Sequence, residues 1–204
     1  MLSGPLNGIV MAGGSSRRMG QNKALIEILG VPLLITQVLK LYALFEEQSS
    51  FEILVSVRQS GQLDLPEHAR YVEDLRPDEG PLMGLYTCLQ ECAAGHVVVL
   101  GVDMPRMDAP TLRELIDQCE PGVGVVPVYR NSAFFEPLAA VYPVEILPMI
   151  GRWLDAGKRS LQELIPEAIR EGLLKRFEIR PVDASRFMNV NCPKDWVDYG
   201  DGSG

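Results

Sequence analysis

Arg17, Arg18 and Lys23 fall within seven residues of one another, just after the glycine pair Gly13-Gly14 and the apolar run Ile9-Val10-Met11-Ala12. Residues of these types in this order can hold phosphate groups. Glycine has no Cβ, so the backbone at Gly13 and Gly14 can take positive φ, approach a ligand closely and aim successive amide N–H groups at anionic oxygens. The three cations add full charges where those dipoles already point. The glycine pair taken alone is equally well explained as a tight strand-to-helix turn with a solvated Arg-Arg pair. The longer pattern A-G-G-x-S-x-R-M-G-x-x-K, spanning Ala12 to Lys23, carries the functional reading, and it lacks the spacing of both the GxxxxGK[ST] and the GxGxxG phosphate loops.

A second candidate closes the run Val97-Val98-Val99-Leu100, where Gly101-Val102-Asp103-Met104-Pro105 places a carboxylate at the end of an apolar, β-branched strand. A carboxylate there is costly unless it meets a cation. Asp103 could hold a hard divalent ion such as Mg²⁺, which takes one or two carboxylates together with phosphate oxygens and water. It could also serve as a turn or capping aspartate ahead of Pro105. Asp108, before Ala109-Pro110-Thr111, reads as a helix cap. In Glu73-Asp74-Leu75-Arg76-Pro77-Asp78-Glu79-Gly80-Pro81-Leu82-Met83-Gly84, a polar loop enters a helix whose first turn holds glycine. That residue costs about 1 kcal/mol of helix propensity and suggests the close approach of a ligand or another backbone, a structural role for Gly84 being as good an explanation. Asn189 and Asn191 alternate in Asn189-Val190-Asn191-Cys192-Pro193, as on one side of a short strand, and can donate and accept without charge. Turn-forming asparagines before a proline-started helix explain them equally well.

Positioning such loops takes a strand before each and a helix after it. Apolar runs at 6–11, 51–57, 97–102 and 123–126 alternate with amphipathic stretches at 32–47, 81–94 and 109–119, a β-α-β-α pattern. Leu34, Val38, Leu41, Tyr42 and Phe45 share one helical face, with Pro32 suited to the first turn. Continuous apolar strands of this kind suit a parallel sheet covered on both faces, so the chain is read as a three-layer α/β/α sandwich with a mostly parallel, Rossmann-like sheet. Further elements are expected as a strand at 137–142, helices at 144–156 and from Leu161, a strand at 174–179 and a short helix after Pro193. Residues 1–198 are taken as one domain and 199–204 as a frayed tail. In open sheets of this kind ligands sit at the carboxyl ends of the strands, where the four loops above fall.

Composition narrows the function classes. The formal net charge of −8 disfavours nucleic acid and anionic membranes as partners, and makes the cationic loop stand out as a site for a small anion. No apolar run is long enough to span a bilayer, and the first residues lack the basic and apolar regions of a secretory signal, which predicts a cytoplasmic protein. Cys88, Cys92, Cys119 and Cys192 form no CxxC pair and the two histidines, His68 and His96, lie away from them, which argues against structural zinc and a disulfide framework. No Ser-His-Asp or Cys-His arrangement suggests covalent catalysis.

The opening pattern resembles the signature of the Rossmann-like nucleotidyltransferase superfamily, with Ala12, Gly13, Gly14, Ser16, Arg18, Met19, Gly20 and Lys23 on the motif. Together with Glu79-Gly80-Pro81-Leu82-Met83-Gly84-Leu85, Val102-Asp103-Met104-Pro105, Glu136-Pro137-Leu138-Ala139-Ala140-Val141-Tyr142 and Asn189-Val190-Asn191-Cys192-Pro193, it resembles the molybdenum cofactor guanylyltransferases from about Leu6 to Trp196. The resemblance implies transfer of GMP from GTP to molybdenum-molybdopterin. It implies nucleotide binding by Met11, Ala12, Gly13, Gly14, Lys23, Asp74, Gly80, Pro81 and Asp103, with Lys23, Arg18 and Asp103 catalytic and Asp103 on Mg²⁺. It puts Asn189, Asn191, Glu136 and Pro137 on the pterin side. It also implies transient contact with proteins that make the cofactor and with recipient molybdoenzymes. The alternatives are a cytidylyltransferase acting on the same pterin with CTP, and a nucleotide-binding module without turnover. The chain departs from the family pattern at Met11, Met83, Cys192 and Val57-Arg58, the last where relatives often carry a nucleotide-contacting Asn.

Overall fold

The computed structural model describes residues 4–13, 23–59, 61, 63–130 and 132–190. Strand β1 (Leu6–Met11) is followed by a small hairpin, β2 (Glu27–Ile28) and β3 (Val31–Pro32), and by helix α1 (Leu33–Phe45). Then come β4 (Ile53–Val57), β5 (Ala69–Glu73), α2 (Pro81–Gln90), β6 (His96–Gly101), α3 (Ala109–Asp117), β7 (Gly124–Tyr129) and β8 (Ala139–Pro143). Helices α4 (Leu147–Asp155) and α5 (Leu161–Arg170) and strand β9 (Leu174–Ile179) complete the main elements, followed by a 3-10 stretch at Pro181–Phe187.

Seven strands form one sheet in the order β5-β4-β1-β6-β8-β7-β9. β1 runs parallel to both β4 and β6, β4 to β5, and β7 to β9, whereas β8 is antiparallel to β6 and β7. A residue run as apolar as β6 or β8 is buried on both faces, which is why their sequences show no period-two alternation. The exception at β8 has a topological cause. Among its described residues the 130–138 connection from β7 holds no crossover helix, and a parallel neighbour would need one.

One face of the sheet is covered by α1 and α3, whose Leu34, Val38, Leu41, Leu112 and Leu115 pack on Val10, Val55, Val98 and Leu100. The other is covered by α2, α4 and α5 through Leu82, Leu85, Ile150, Leu164 and Ile165 against Ile9, Leu54, Val97 and Val99. Alternate residues of the central strands thus face opposite helix layers, as the pleat requires. Helix starts follow local chemistry. Asp108 caps α3 by accepting the Thr111 amide at 2.9 Å, and Ser160 caps α5 by accepting the Glu163 amide at 3.3 Å.

The mostly parallel three-layer sandwich matches expectation, with corrections in detail. β5 and the β2–β3 hairpin have no counterpart among the predicted elements. The helix expected at 144–156 divides into a 3-10 turn at Val144–Ile146 and α4. Residues 188–190 lie in no strand; the Met188 amide donates to the Ser185 carbonyl at 3.4 Å and the Val190 amide to the Asp103 carbonyl at 2.8 Å, so Asn189 sits in a non-regular stretch. Asn191, the helix expected after Pro193 and the tail lie outside the described residues, as do Gly14 and Arg18. Among the described residues no helix is long and apolar enough to cross a membrane.

Candidate active site

From β1 the chain passes to β4 and β5 on one side and later to β6 on the other, so the strand order reverses between β1 and β6. Ligands of open α/β sheets bind beyond the carboxyl ends of the strands at this reversal. Met11, Ala12 and Gly13 leave β1 there, and the Val102 amide donates to the Met11 carbonyl at 3.2 Å, tying the two loops together. On the other flank the Ala12 amide donates to the Ser56 carbonyl at 3.1 Å and the Asp74 amide to the Val57 carbonyl at 2.9 Å.

Across this reversal Lys23 and Asp103 meet. Lys23 Nζ donates to Asp103 Oδ2 at 3.2 Å, with both side chains partly buried. The two residues are 80 positions apart in sequence; the adjacency of β1 and β6 brings them together. Gly101 makes the room the carboxylate occupies, since a Cβ there would sit 2.9 Å from Asp103 Oδ1 and 3.3 Å from Leu138 Cβ. Asp103 sits in a turn, as one sequence reading had it, and the cap of the following helix is Asp108. Among the described residues no group of three or more His, Cys, Asp or Glu side chains could enclose a metal. A single carboxylate at the strand end suits instead a hard divalent ion that keeps water and draws its other oxygens from a phosphate substrate.

Beside this pair, Asp74 follows β5. The Ser56 hydroxyl donates to Asp74 Oδ1 at 3.0 Å, and burial pushes the Asp74 carboxyl above the usual range while that hydrogen bond and the Arg58 charge pull it back. Gly84 reveals why glycine stands in the first turns of α2. A Cβ at that position would lie 2.4 Å from Ser56 Oγ, 2.9 Å from Met11 Cε and 3.2 Å from Asp74 Oδ1. Gly84 thus admits neighbouring side chains, the structural role that the sequence explained as well as it did the close approach of a ligand or backbone. Gly80, at φ +81°, is the residue before α2 and Pro81 its first, where a positive φ suits glycine and the first helical position suits proline. Arg58 pairs with Asp78 at 2.6 Å and so braces the loop ahead of Gly80.

β8 runs antiparallel, so its first residues reach the same edge as the last ones of β6. Its preceding residue Leu138 accepts the Gly101 amide at 2.7 Å, and the Pro137 carbonyl accepts the Tyr142 hydroxyl at 2.9 Å. Glu136 is buried. Desolvation and the negative charge of Asp103 push its carboxyl up to about 7, against a hydrogen bond from Tyr129 that pulls it down. Asn189 is exposed and next to Val190, which is bonded to the Asp103 carbonyl. Ser56, Gly101 and Tyr129 are the site neighbours that sequence reasoning did not single out. Ser56 carried a signal, as the sole polar side chain in the apolar strand Ile53–Val57.

The Glu136 shift has a consequence for stability. A carboxyl with its folded pKa raised from 4.5 to about 7 binds more protons folded than unfolded between those values, so stability falls as pH rises through them. Against the Glu136→Gln variant, wild-type protein without divalent ion or nucleotide is expected to lose on the order of 2–3 kcal/mol between pH 4.5 and pH 8. Urea denaturation of both proteins across that range checks it, and parallel pH profiles would refute the burial argument.

An ammonium and the Asp103 carboxylate meeting beside Gly13 at the switch point of a mostly parallel sheet define the class: this is a nucleotidyltransferase of the Rossmann-like type. Residues 8–171 match the MobA-like NTP transferase domain. A protein of Opitutus terrae named probable molybdenum cofactor guanylyltransferase is 34% identical over 93% of this chain and 92% of its own length. One of the same name from Deinococcus radiodurans is 33% identical over 94% of this chain and 92% of its own. The chain belongs to the molybdenum cofactor guanylyltransferase family. Among solved structures, molybdopterin-guanine dinucleotide biosynthesis protein A from Archaeoglobus fulgidus superposes with a TM-score of 0.67 at 21% identity, covering 94% of this chain and 95% of that one, which supports the fold.

Proposed function

We propose that this protein transfers GMP from GTP to the terminal phosphate of molybdopterin carrying molybdenum. A phosphate oxygen of the pterin attacks the α-phosphorus of GTP, the bond from that phosphorus to the bridging oxygen of the β-phosphate breaks, and pyrophosphate leaves. The observation that carries the reading is the pairing of Lys23 with Asp103 at 3.2 Å across the switch point, in a chain whose relatives bear the guanylyltransferase name.

A phosphate monoester is already an adequate nucleophile, so catalysis rests on holding it in line and neutralising charge. Met11, Ala12 and Gly13 line the path of the triphosphate, and Lys23 carries the ammonium that follows the charge building on the leaving pyrophosphate. Arg18 and Gly14, outside the described residues, are proposed for the same loop. Mg²⁺ bound at Asp103 would supply further positive charge beside the α-phosphate. Asp74, Gly80 and Pro81 flank the place proposed for the nucleoside. Asn189, Asn191, Glu136 and Pro137 are proposed for the pterin side, where Glu136 and Pro137 share the strand edge with Asp103.

Gly80-Pro81-Leu82-Met83-Gly84-Leu85 resembles the guanine-side form of its loop, which favours GTP over CTP. The test is competition between radiolabelled GTP and CTP with purified protein, molybdenum-molybdopterin and Mg²⁺, reading label in the dinucleotide and pyrophosphate released. GTP is expected to react at least about tenfold faster, the discrimination that roughly 1.4 kcal/mol supplies. Faster use of CTP would overturn the guanine assignment, and no transfer from either would overturn the reaction.

A further inference from the structure

Gln37 is a polar residue in the middle of a buried apolar stripe. It lies between Leu34 and Leu41 on the core face of α1, and its side chain is fully buried. Its Nε2 donates two hydrogen bonds, to the Gly101 carbonyl at 3.0 Å and to the Met104 carbonyl at 2.9 Å. Those carbonyls bracket the turn that carries Asp103. Only an amide nitrogen can face two acceptors, so the opposite orientation of the amide is ruled out by the chemistry of its neighbours.

Two features separate this contact from ordinary core packing. Gly101 and Met104 already accept bonds within the local turn, from the Met104 amide at 3.3 Å and the Met107 amide at 3.2 Å, so neither carbonyl depends on Gln37 for a partner. Gln37 Oε1, in turn, is buried with no hydrogen-bond partner. A leucine of similar size would bury no such orphan, so glutamine costs the folded state something here and returns a fixed distance between helix and turn. One helical turn further on, Lys40 Nζ donates to the Pro105 carbonyl at 2.5 Å, a second strut from α1 to the same segment.

We propose that Gln37 is a positioning residue for Asp103: from the rigid α1 it holds the Gly101–Met104 turn so that the carboxylate points across the switch point toward Lys23. The proposal rests on the reading of Asp103 as the residue that binds the divalent ion. A carboxylate held this way needs no rearrangement when a cation arrives, and a supporting residue of this kind is worth about 10- to 100-fold in metal affinity elsewhere.

The experiment compares wild type with Gln37→Leu and Gln37→Glu, using Leu164→Ala as a stability control in α5, on the opposite face of the sheet. Gln37→Leu is expected to stay folded, to raise the Mg²⁺ concentration for half-maximal transfer about tenfold or more, and to leave the KM for GTP at saturating Mg²⁺ within about threefold. Mn²⁺ binding followed by electron paramagnetic resonance, with a non-hydrolysable GTP analogue and no pterin, is expected to weaken by the same factor. Gln37→Glu keeps the shape but offers a donor only when protonated, so its metal affinity is expected to recover as pH falls. Leu164→Ala is expected to lose thermal stability and keep the wild-type Mg²⁺ profile. A wild-type Mg²⁺ and Mn²⁺ profile in Gln37→Leu overturns the proposal while leaving the function intact. A wild-type protein whose transfer is indifferent to divalent ions overturns the reading of Asp103 as the ion-binding residue and this proposal with it, while the transfer itself stands.

Discussion

Replacing Asp103 with asparagine is expected to cut GMP transfer by about 100- to 1,000-fold, the range typical of losing one preorganised electrostatic group at a reacting phosphate or carbonyl. Asparagine has the same shape and fits the space that Gly101 leaves, so the turn keeps its bonds to Met11, Leu138 and Val190. The stability cost should be small, because the ion pair with Lys23 is partly exposed and pairs of that kind contribute about 1 kcal/mol or less. The measurement is single-turnover formation of labelled dinucleotide at saturating GTP, beside urea denaturation of both proteins. A folded variant within about threefold of wild-type activity would remove Asp103 from the chemistry and with it the metal assignment.

The parts of this site that could be read from the chain are those whose signal is local. The glycine pair begins two residues after the end of β1, and Asp103 stands two residues after the end of β6, so each loop carries its own strand with it. The Lys23–Asp103 pairing is not local; it goes with β1 and β6 being neighbours, a strand order that neither the alternation of elements nor any spacing states. β5 escaped because Ala69-Arg70-Tyr71-Val72-Glu73 is an edge strand with one buried side chain, and Arg70 spends its charge on Glu52 and Glu91 outside the core. Such a strand has neither an apolar run nor a clean alternation to reveal it. The reversed direction of β8 escaped for the opposite reason: all five of its residues are buried, so its sequence would read the same in either orientation. Asn189 sits in a non-regular stretch, and Asn191, its expected alternate, lies outside the described residues. Gln37 marks the more useful lesson, since a polar residue at a core position of a helix signals that some backbone group nearby is being held.

Lys23→Met should lower transfer as severely as the loss of Asp103, about 100- to 1,000-fold, because the methionine nearly matches the unbranched side chain and removes the ammonium proposed to follow the leaving pyrophosphate. Arginine is not expected to rescue it. Its planar guanidinium cannot follow successive phosphate oxygens as a small ammonium does, and 3.2 Å from Asp103 in a partly buried crevice it would need more room. The double variant Lys23→Met/Asp103→Asn separates two accounts of the pair. If the ammonium and the carboxylate serve one charge-neutralising arrangement, the double variant is expected to be about as slow as the slower single variant, since the first loss already disables the second residue. If each stabilises the transition state independently, the losses multiply, giving about 10⁴-fold or more. Their contact across the strand reversal favours the first outcome. Multiplied losses in rapid-quench measurements would mean that the ion pair is an incidental meeting of two separately acting groups.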